Sequence, residues 1–488
     1  MWTIIIFIFV IIILRDTFQR RASYPPGPLQ FPVVGNLLSV WWHLRKLKYH
    51  HILWQQWSRK YGPILGLRLG LMNIVVVSGR HMIKEVLSRE VFDGRPDGFF
   101  YTMRNFGKKI GLVFSEGAFW NKTRRTALQS LKNFGYGSRT MEHYITEECK
   151  ALVELRLADA GKPIYASHMF DVSIINILWR LVAGKRYDLE NEQLKHLCYM
   201  ITRSFQVVDM SGGVLNFMPF LRHFIPNLIG YTELKNLHGT LYMFLKETIQ
   251  EHEQTLDSNH PRDVIDTFLI EMSQNKESFT EEELQVICLD FLEAGVETVS
   301  NTAGFMLLYL VRDQELQHRL RMEIDAEIGH SRLPALSDRS RMVYTEAVIL
   351  EALRISSVAA VGIPHMALED APLGNYVIPK GTLILLSLYD LHNGSHWKDP
   401  AAFLPERFLT KDGNLIQDDW LMPFGSGKRR CIGEGLARSE LFLFLTHLLQ
   451  KFHLKLPKGD PLPTTEPING ITLAAKDFRV IFEPRKIY

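Results

Sequence analysis

A glycine-rich segment near the carboxyl end surrounds one cysteine and could make its thiol a metal ligand. The segment covers residues 424–433 and reads FGSGKRRCIG. Its glycines allow the backbone to fold tightly around a sulfur atom and to direct N–H groups toward it. A helix predicted over about 433–452 places Cys431 near a helix N-terminus, where the dipole and the free donors favour a thiolate. Arg429 could neutralise an acidic ligand edge, and Phe424 could pack close to the sulfur.

The other three cysteines have a simpler interpretation. Cys149, Cys198 and Cys288 lie in helix-like apolar or mixed stretches, where cysteine usually serves as a small buried hydrophobic residue. Four cysteines in 488 residues do not form a disulfide framework, and no C-x-x-C pair suggests zinc.

A second group that could do chemistry lies in the longest predicted helix, Leu284 to Val311. Asp290, Glu293 and Glu297 interrupt its apolar surface, and buried acids are costly unless they are paired or useful. The run AGVET, residues 294–298, places a glycine before a carboxylate and a hydroxyl. The small residue would let a flat ligand approach the backbone, and Glu297 with Thr298 could carry protons. A solvated patch with a chance glycine remains the alternative.

The elements that must position these groups are mostly helical. A capping box of Thr280 and Glu283 begins the long helix, and a helix is predicted over about 41–60. Strands are predicted within 64–77, around a turn at Gly70, and again at 374–377 and 382–388. The chain shows neither an internal repeat nor a Pro/Gly/Ser-rich linker after residue 36, which favours one large domain. A net charge of +3 excludes an obvious nucleic-acid partner.

The amino-terminal end predicts a membrane anchor. Residues 1–14 carry no charge, and continuing to Phe18 brings the apolar helix closer to the roughly 30 Å of a bilayer core. The alternative, a cleaved signal peptide, lacks a small-residue cleavage site. Because basic residues follow the apolar run, the rest of the chain should be cytoplasmic. We expect an anchor at 1–18, a proline-rich hinge at 24–36, and a catalytic domain at 37–488.

The cysteine segment resembles the haem-binding loop of the cytochrome P-450 family, whose pattern is F-x-x-G-x-R-x-C-x-G, with Ala437 following at the usual place. The resemblance implies a mainly α fold with small β-sheets, and haem b with Cys431 as its axial thiolate. Glu351 and Arg354 resemble the family's E-x-x-R, and with Arg407 they would form a buried structural ion network. Trp120, Arg124 and His365, together with Arg429 and Phe424, match positions that contact the haem.

The same resemblance implies a monooxygenase that uses dioxygen and takes electrons from NADPH through a flavin reductase, with cytochrome b5 as a further candidate partner. Thr298 and Glu297 would deliver protons to the bound oxygen. The enzyme would sit in the endoplasmic reticulum membrane with its catalytic domain on the cytoplasmic side. A basic docking surface for the reductase is expected near the thiolate, from Lys122, Arg125, Lys132, Lys428 and Arg430.

The residues expected to line the substrate pocket are almost all apolar, so the substrate should be apolar too. They are Phe99, Phe100, Phe106, Phe291, Ala294, Val358, Val361, Ile471 and Leu473. The apolar segment 216–221 is expected to meet the membrane and admit lipophilic molecules.

Within the family, the runs 92–100, 106–111, 176–184 and 433–440 resemble insect microsomal members that epoxidise farnesoic acid or methyl farnesoate in juvenile hormone synthesis. A broad-range oxygenase of xenobiotics, steroids or fatty acids is the alternative. A haem-thiolate isomerase or a haem-binding sensor is more distant, because such proteins have less need of Thr298.

Overall fold

The computed structural model describes residues 23–275 and 278–486. The predicted anchor at 1–18 lies outside these ranges. Within them, no helix combines the length and apolar character needed to cross a bilayer. The predicted hinge is described, and it packs against the first sheet: the Tyr24 hydroxyl donates to the carbonyls of Leu67 (3.2 Å) and Ile74 (3.1 Å).

Helices make up most of the described chain. They are α1 (Leu37–Leu47), α2 (His50–Tyr61), α3 (Arg80–Ser88), α4 (Phe99–Met103), α5 (Gly117–Asn133), α6 (Arg139–Ala158), α7 (Asp171–Ala183), α8 (Glu192–Val207), α9 (Gly213–Phe217), α10 (Tyr231–Thr255), α11 (Val264–Gln274), α12 (Glu281–Arg312), α13 (Gln314–Glu327), α14 (Val343–Ser356), α15 (Leu388–Asn393) and α16 (Glu434–Lys451). Short 3₁₀ helices include Pro219–His223, Pro405–Phe408 and Gly427–Arg429.

The strands form small sheets at the margins of the helical body. They are β1 (Ile64–Leu69), β2 (Met72–Val77), β3 (Pro163–Tyr165), β4 (His365–Met366), β5 (Ala371–Leu373), β6 (Tyr376–Ile378), β7 (Leu383–Leu386), β8 (Phe452–Lys455), β9 (Pro467–Ile468), β10 (Ala474–Ala475) and β11 (Arg479–Pro484). The largest sheet has the order β1-β2-β7-β4, and β2 runs parallel to β7. This sheet brings His365 on β4 beside the amino-terminal third of the chain.

Most predicted elements are present, with one clear difference. The long helix spans 32 residues with the predicted Thr280/Glu283 capping box, and β1 and β2 meet at Gly70, whose φ is +57°. The single helix expected over 41–60 is instead two helices, α1 and α2. Lys48 ends α1 in the left-handed region, with φ of +65°, and redirects the chain. No glycine or proline marks this break, so the sequence carried no strong signal for it.

The long helix α12 forms the centre of the main apolar core. Its side chains pack with those of α7, α10, α14 and α16, and most of its residues are buried. A second apolar core lies under the largest sheet and includes Phe100, Phe217 and Leu385. Burial on nearly every face explains why α12 has no continuous polar side, as the sequence indicated.

A buried ion network holds the segment after α15 onto α14. Arg354 donates from Nε to Glu351 Oε2 (2.7 Å) and from Nη2 to Oε1 (2.8 Å), and both residues are fully buried. Arg407 donates to Glu351 Oε1 (3.1 Å), and the Leu404 N–H donates to the same oxygen (2.8 Å). Four donors thus converge on one carboxylate, from chain segments about 50 residues apart.

Candidate active site

The cysteine segment is folded as a tight loop that leads into α16. Gly425 and Gly427 have φ of +68° and +69°, which L side chains rarely adopt. A Cβ at Gly427 would also lie 2.1 Å from the Leu87 carbonyl oxygen, so only glycine fits there. The Cys431 N–H donates to the Phe424 carbonyl (3.0 Å) and closes the loop. Cys431 is exposed, whereas Cys149, Cys198 and Cys288 are buried, which fits their different predicted roles.

The electrostatics of the Cys431 thiol combine opposing effects. The side chain is exposed by surface area, but neighbouring protein atoms still desolvate the sulfur, and this burial raises the pKa of the thiol. Hydrogen bonds from the backbone N–H groups of Gly433 and Glu434 lower that pKa, as does the charge of Arg124. The protein therefore supplies donors for a thiolate, and a bound metal ion would complete its stabilisation.

Arginine and tryptophan side chains form a cationic cluster beside the loop. The Arg429 guanidinium lies 3.8 Å from the centre of the Trp120 ring and donates to the carbonyls of Asp93 (2.8 Å) and Ser115 (3.0 Å). Its Nη1 is buried without a hydrogen-bond partner. Arg124 lies over the same ring at 5.3 Å and donates to the Arg430 carbonyl (2.9 Å). The indole N–H of Trp120 donates to Leu112 (3.1 Å), so Trp120 contributes its ring rather than its N–H to this cluster.

Two buried residues complete the cationic cluster, and one of them was missed from the sequence. Arg95 donates to the carbonyls of Val113 (3.1 Å) and Pro364 (3.0 Å). Burial, with the repulsion of Arg429, lowers the pKa of Arg95 to about 9. His365 hydrogen-bonds the Phe92 carbonyl through Nδ1 (2.7 Å), and burial together with the charge of Arg95 lowers its pKa well below the usual range. A single arginine in a turn gave no sequence signal for Arg95, because only the fold brings it to Arg429.

Residues 112–116 connect this cluster to the long helix. The backbone N–H groups of Leu112 (2.6 Å) and Val113 (3.0 Å) donate to Asp290 Oδ2 on α12. The carbonyls of the same stretch accept hydrogen bonds from Trp120, Arg95 and Arg429. Residues 112–116 therefore fix the spacing between α12 and the cationic cluster beside the Cys431 loop.

The buried acids of α12 have specific partners. Arg104 donates to Asp290 Oδ1 (2.8 Å) and pairs with Glu293 Oε2 (2.8 Å), and His238 lies 3.4 Å from Glu293 Oε1. The attraction of the two carboxylates outweighs burial and raises the pKa of Arg104. Asp290 and Glu293 thus hold the 104–113 segment and α10 onto the long helix, which offsets the cost of burying them.

The small residues of α12 have different roles from those expected. A Cβ at Gly295 would lie 2.4 Å from Leu178 Cδ2, so this glycine allows α12 and α7 to pack closely rather than admitting a ligand. Ala294 is the exposed residue of the run. The Thr298 hydroxyl donates to the Ala294 carbonyl (2.8 Å), one turn earlier. Ala294 and Thr298 therefore form the accessible face of the helix at this level.

Glu297 faces away from Thr298, because adjacent helix residues are about 100° apart. Its Oε2 accepts from the Thr202 hydroxyl on α8 (2.7 Å), and its Oε1 accepts from Asn301 (2.8 Å) and Thr472 (3.3 Å). Burial raises the pKa of Glu297, against the hydrogen bond from Thr202. The carboxylate joins α8 and the 471–473 turn to the long helix, and these partners were not visible in the sequence.

The predicted pocket residues divide between the two apolar cores. Phe291 and Val358 are buried in the main core, and Leu473, also buried, donates its N–H to the Val358 carbonyl (2.9 Å). The sheet-side core holds Phe100, with half-buried residues against it: Phe99, Val361 and Ile471. Phe106 differs, because it is 41% exposed and stacks on Tyr242 of α10, with ring centres 4.6 Å apart.

Two expectations about surfaces need correction. In the predicted membrane-facing segment 216–221, Asn216 and Phe217 are buried and Phe220 is exposed, and further exposed apolar side chains follow the segment at Phe224 and Leu228.

The predicted basic docking residues are also not equally available. Lys122 pairs with Glu271, Lys428 with Glu90, and Arg430 with Glu434. Arg125 and Lys132 are exposed on one face of α5 and, among the described residues, have no carboxylate partner.

These residues fit a planar, anionic, metal-containing cofactor. An accessible thiol stands in a loop rich in N–H donors, and the unpartnered Nη1 of Arg429 can receive a carboxylate. Arg95 and Arg124 add positive charge on the same side, which suits the two propionates of haem.

Comparison with known proteins agrees with this geometry. The family profile described as cytochrome P450 matches residues 25–482. The chain is 65% identical to farnesoate epoxidase of Bombyx mori over 471 residues, which are 96% of each chain. It is 36% identical to probable cytochrome P450 305a1 of Drosophila melanogaster over 98% of this chain and 97% of that one. It is also 36% identical to cytochrome P450 2C5 of Oryctolagus cuniculus over 95% of each.

Proposed function

We propose that this chain, which belongs to the cytochrome P450 family, epoxidises the terminal double bond of farnesoate. As a member of that family it is a haem-thiolate monooxygenase that uses dioxygen and NADPH-derived electrons. The observation that carries this proposal is the identity to the Bombyx mori relative over nearly the full length of both chains. Apolar pocket candidates, including Phe291, Val358 and Leu473, suit an isoprenoid chain.

In this proposal Cys431 ligates the haem iron, and Arg429, Arg124 and Arg95 bind the propionates. The haem, when bound, supplies the activation of dioxygen and the transfer of one oxygen atom to the substrate. His365 stays neutral because its pKa is far below 7, so it contributes a hydrogen-bonding ring without a further charge.

Thr298 is proposed to hold a proton on the open face of α12, where the haem would supply the oxygen chemistry. Its hydroxyl donates to the Ala294 carbonyl and could rotate to donate toward that open face. Glu297 acts only indirectly, because its carboxylate oxygens already accept hydrogen bonds from Thr202, Asn301 and Thr472. We therefore propose Glu297 as a positioning residue that fixes the helix around Thr298 and the wall near Leu473.

The carboxylate of farnesoate needs a cation at the far end of the chain, and Arg222 is the proposed one. Its guanidinium lies 4.3 Å from the centre of the Phe99 ring, a pocket candidate, and donates to the Pro219 carbonyl (2.7 Å). Among the described residues, it makes no ion pair with a carboxylate. Exposed apolar side chains lie two positions before and after it in the chain, at Phe220 and Phe224. A free cation over a pocket residue, within an apolar rim, suits an amphipathic acid better than its methyl ester.

The exposed apolar rim also supports membrane association. Phe224 is 76% exposed and Leu228 is 82% exposed, while Trp41 and Trp42 are exposed on α1. Patches of this kind mark membrane or partner contacts. With the predicted anchor at 1–18, we propose that this face lies on the cytoplasmic side of the endoplasmic reticulum membrane, where farnesoate partitions.

The electron donor is proposed to be a membrane-bound flavin reductase that docks on α5. Arg125 and Lys132 are its candidate contacts, because they are exposed and without acidic partners in the described chain. Cytochrome b5 would use the same basic face.

Substrate turnover tests the proposal directly. Full-length enzyme with reductase and NADPH is given farnesoate, methyl farnesoate, steroids and drugs, and the terminal epoxide is measured by chiral chromatography. We expect farnesoate to be turned over with the lowest KM. Turnover of steroids or drugs alone would favour a broad detoxifying oxygenase.

In Arg222→Gln the KM for farnesoate should rise about tenfold, and the KM for methyl farnesoate should not change. Arg203→Gln is the matched control, because Arg203 already pairs with Glu233 (2.6 Å).

A further inference from the structure

Tyr136, in the turn between α5 and α6, contacts the cysteine loop. Its phenolic hydroxyl donates to the Ile432 carbonyl at 2.5 Å, although the two residues are 296 positions apart. The turn is fixed by the Tyr136 N–H, which donates to Leu131 (2.8 Å), and by flanking glycines with positive φ, Gly135 and Gly137. The contact is therefore held in place by well-defined backbone.

The Ile432 carbonyl and the Gly433 N–H belong to one peptide group, and that N–H acts on the Cys431 sulfur, where it lowers the pKa of the thiol. The approach is close, because a Cβ at Gly433 would lie 3.8 Å from Sγ. The phenol therefore contacts one end of a peptide group whose other end lies beside the sulfur. A donor on the carbonyl polarises the peptide and strengthens the N–H as a donor to sulfur.

The start of α16 orients the phenol. The backbone N–H groups of Leu436 and Gly435 act to lower the pKa of the Tyr136 phenol, and a Cβ at Gly435 would lie 3.5 Å from the phenolic oxygen. Because the positive end of α16 lies beside the phenolic oxygen, the hydroxyl becomes a stronger donor to the Ile432 carbonyl.

We propose that Tyr136 is a positioning residue that tunes the axial thiolate through the Ile432–Gly433 peptide. This rests on the proposed ligation of haem iron by Cys431. A stronger N–H donor beside the sulfur withdraws charge from the thiolate, which favours the reduced iron. The role depends on the hydroxyl, whereas the ring only packs against the main core.

The test replaces Tyr136→Phe in the full-length haem-loaded enzyme, which removes the hydroxyl and keeps the ring. At a fixed applied potential, the ratio of reduced to oxidised enzyme should fall about three- to tenfold, the effect of one lost hydrogen bond. Tyr144→Phe is the matched control, since Tyr144 also packs on the main core and contacts Arg180 instead of the loop.

Two further measurements keep the outcome decisive. The iron–sulfur stretching frequency, read only on the haem-loaded fraction, should rise in Tyr136→Phe even if some protein misfolds. Unchanged frequency and reduction ratio would overturn the role of Tyr136. Cys431→Ser separates the two hypotheses: if it keeps the thiolate-type absorption of the reduced carbon monoxide complex, the ligation itself is wrong. If it loses that absorption while Tyr136→Phe resembles wild type, only the tuning is wrong.

Discussion

Replacement of Glu351 by alanine should remove haem binding by unfolding the region that supports the cysteine loop. Glu351 is fully buried and accepts hydrogen bonds from Arg354, Arg407 and the Leu404 N–H. Without the carboxylate, the fully buried Arg354 guanidinium loses both of its contacts with an acid. The Arg354 side chain cannot reach water without disrupting α14.

The magnitude follows from burial. Breaking a buried ion pair by removing one partner typically costs about 3–5 kcal/mol. Domains are stable by only about 5–15 kcal/mol, so this change removes much of the margin. The neighbouring Glu406 provides a comparison, because it pairs with Arg319 where both side chains are nearly half exposed. Such a pair contributes about 0–1 kcal/mol.

The assay compares Glu351→Ala with Glu406→Ala for haem content per polypeptide and for the free energy of unfolding in urea. We expect Glu351→Ala to be haem-poor or aggregated, and Glu406→Ala to match wild type within 1 kcal/mol. Normal haem content together with a loss below 1 kcal/mol in Glu351→Ala would refute the structural role of the network.

Four other outcomes are expected. Cys431→Ser should lose the red-shifted absorption of the reduced carbon monoxide complex; retention of that band would exclude it as the ligand. Thr298→Ala should bind haem and substrate but release more peroxide per NADPH, and unchanged coupling would remove Thr298 from proton delivery. Burial lowers the pKa of His392 to about 3, so the folded protein keeps this side chain neutral while the unfolded chain protonates it below pH 6.5. The free energy of unfolding should therefore be highest above pH 6.5 and fall as the pH decreases. The loss of unfolding free energy between pH 6.5 and 5 should be smaller by about 2 kcal/mol in His392→Asn than in the wild type. The double change Arg125→Glu and Lys132→Glu should raise the KM for reductase severalfold at low salt, with peroxide-supported turnover intact.

The sequence by itself determined the parts of this protein that are local. The cysteine loop could be read from residues 424–433, since the glycine spacing that the backbone requires is contained in ten consecutive positions. The capped long helix, the β1–β2 hairpin and α16 were also predictable, because hydrophobic period and caps act over one or two turns. The break between α1 and α2 was not, since a left-handed Lys48 carries no typical residue signal.

Only the tertiary structure decided which groups share the site. Arg95 lies beside Arg429, and Tyr136 contacts Ile432, although about 300 positions separate the members of each pair. No spacing rule connects residues so far apart. Gly295 and Glu297 could be read as ligand-facing until the fold placed Leu178 and Thr202 against them. A residue type limits which bonds a side chain can make, but its direction and its partner depend on how distant helices pack. For this reason the sequence indicated the chemistry of the thiolate, whereas the residues that orient and tune it became visible only in the fold.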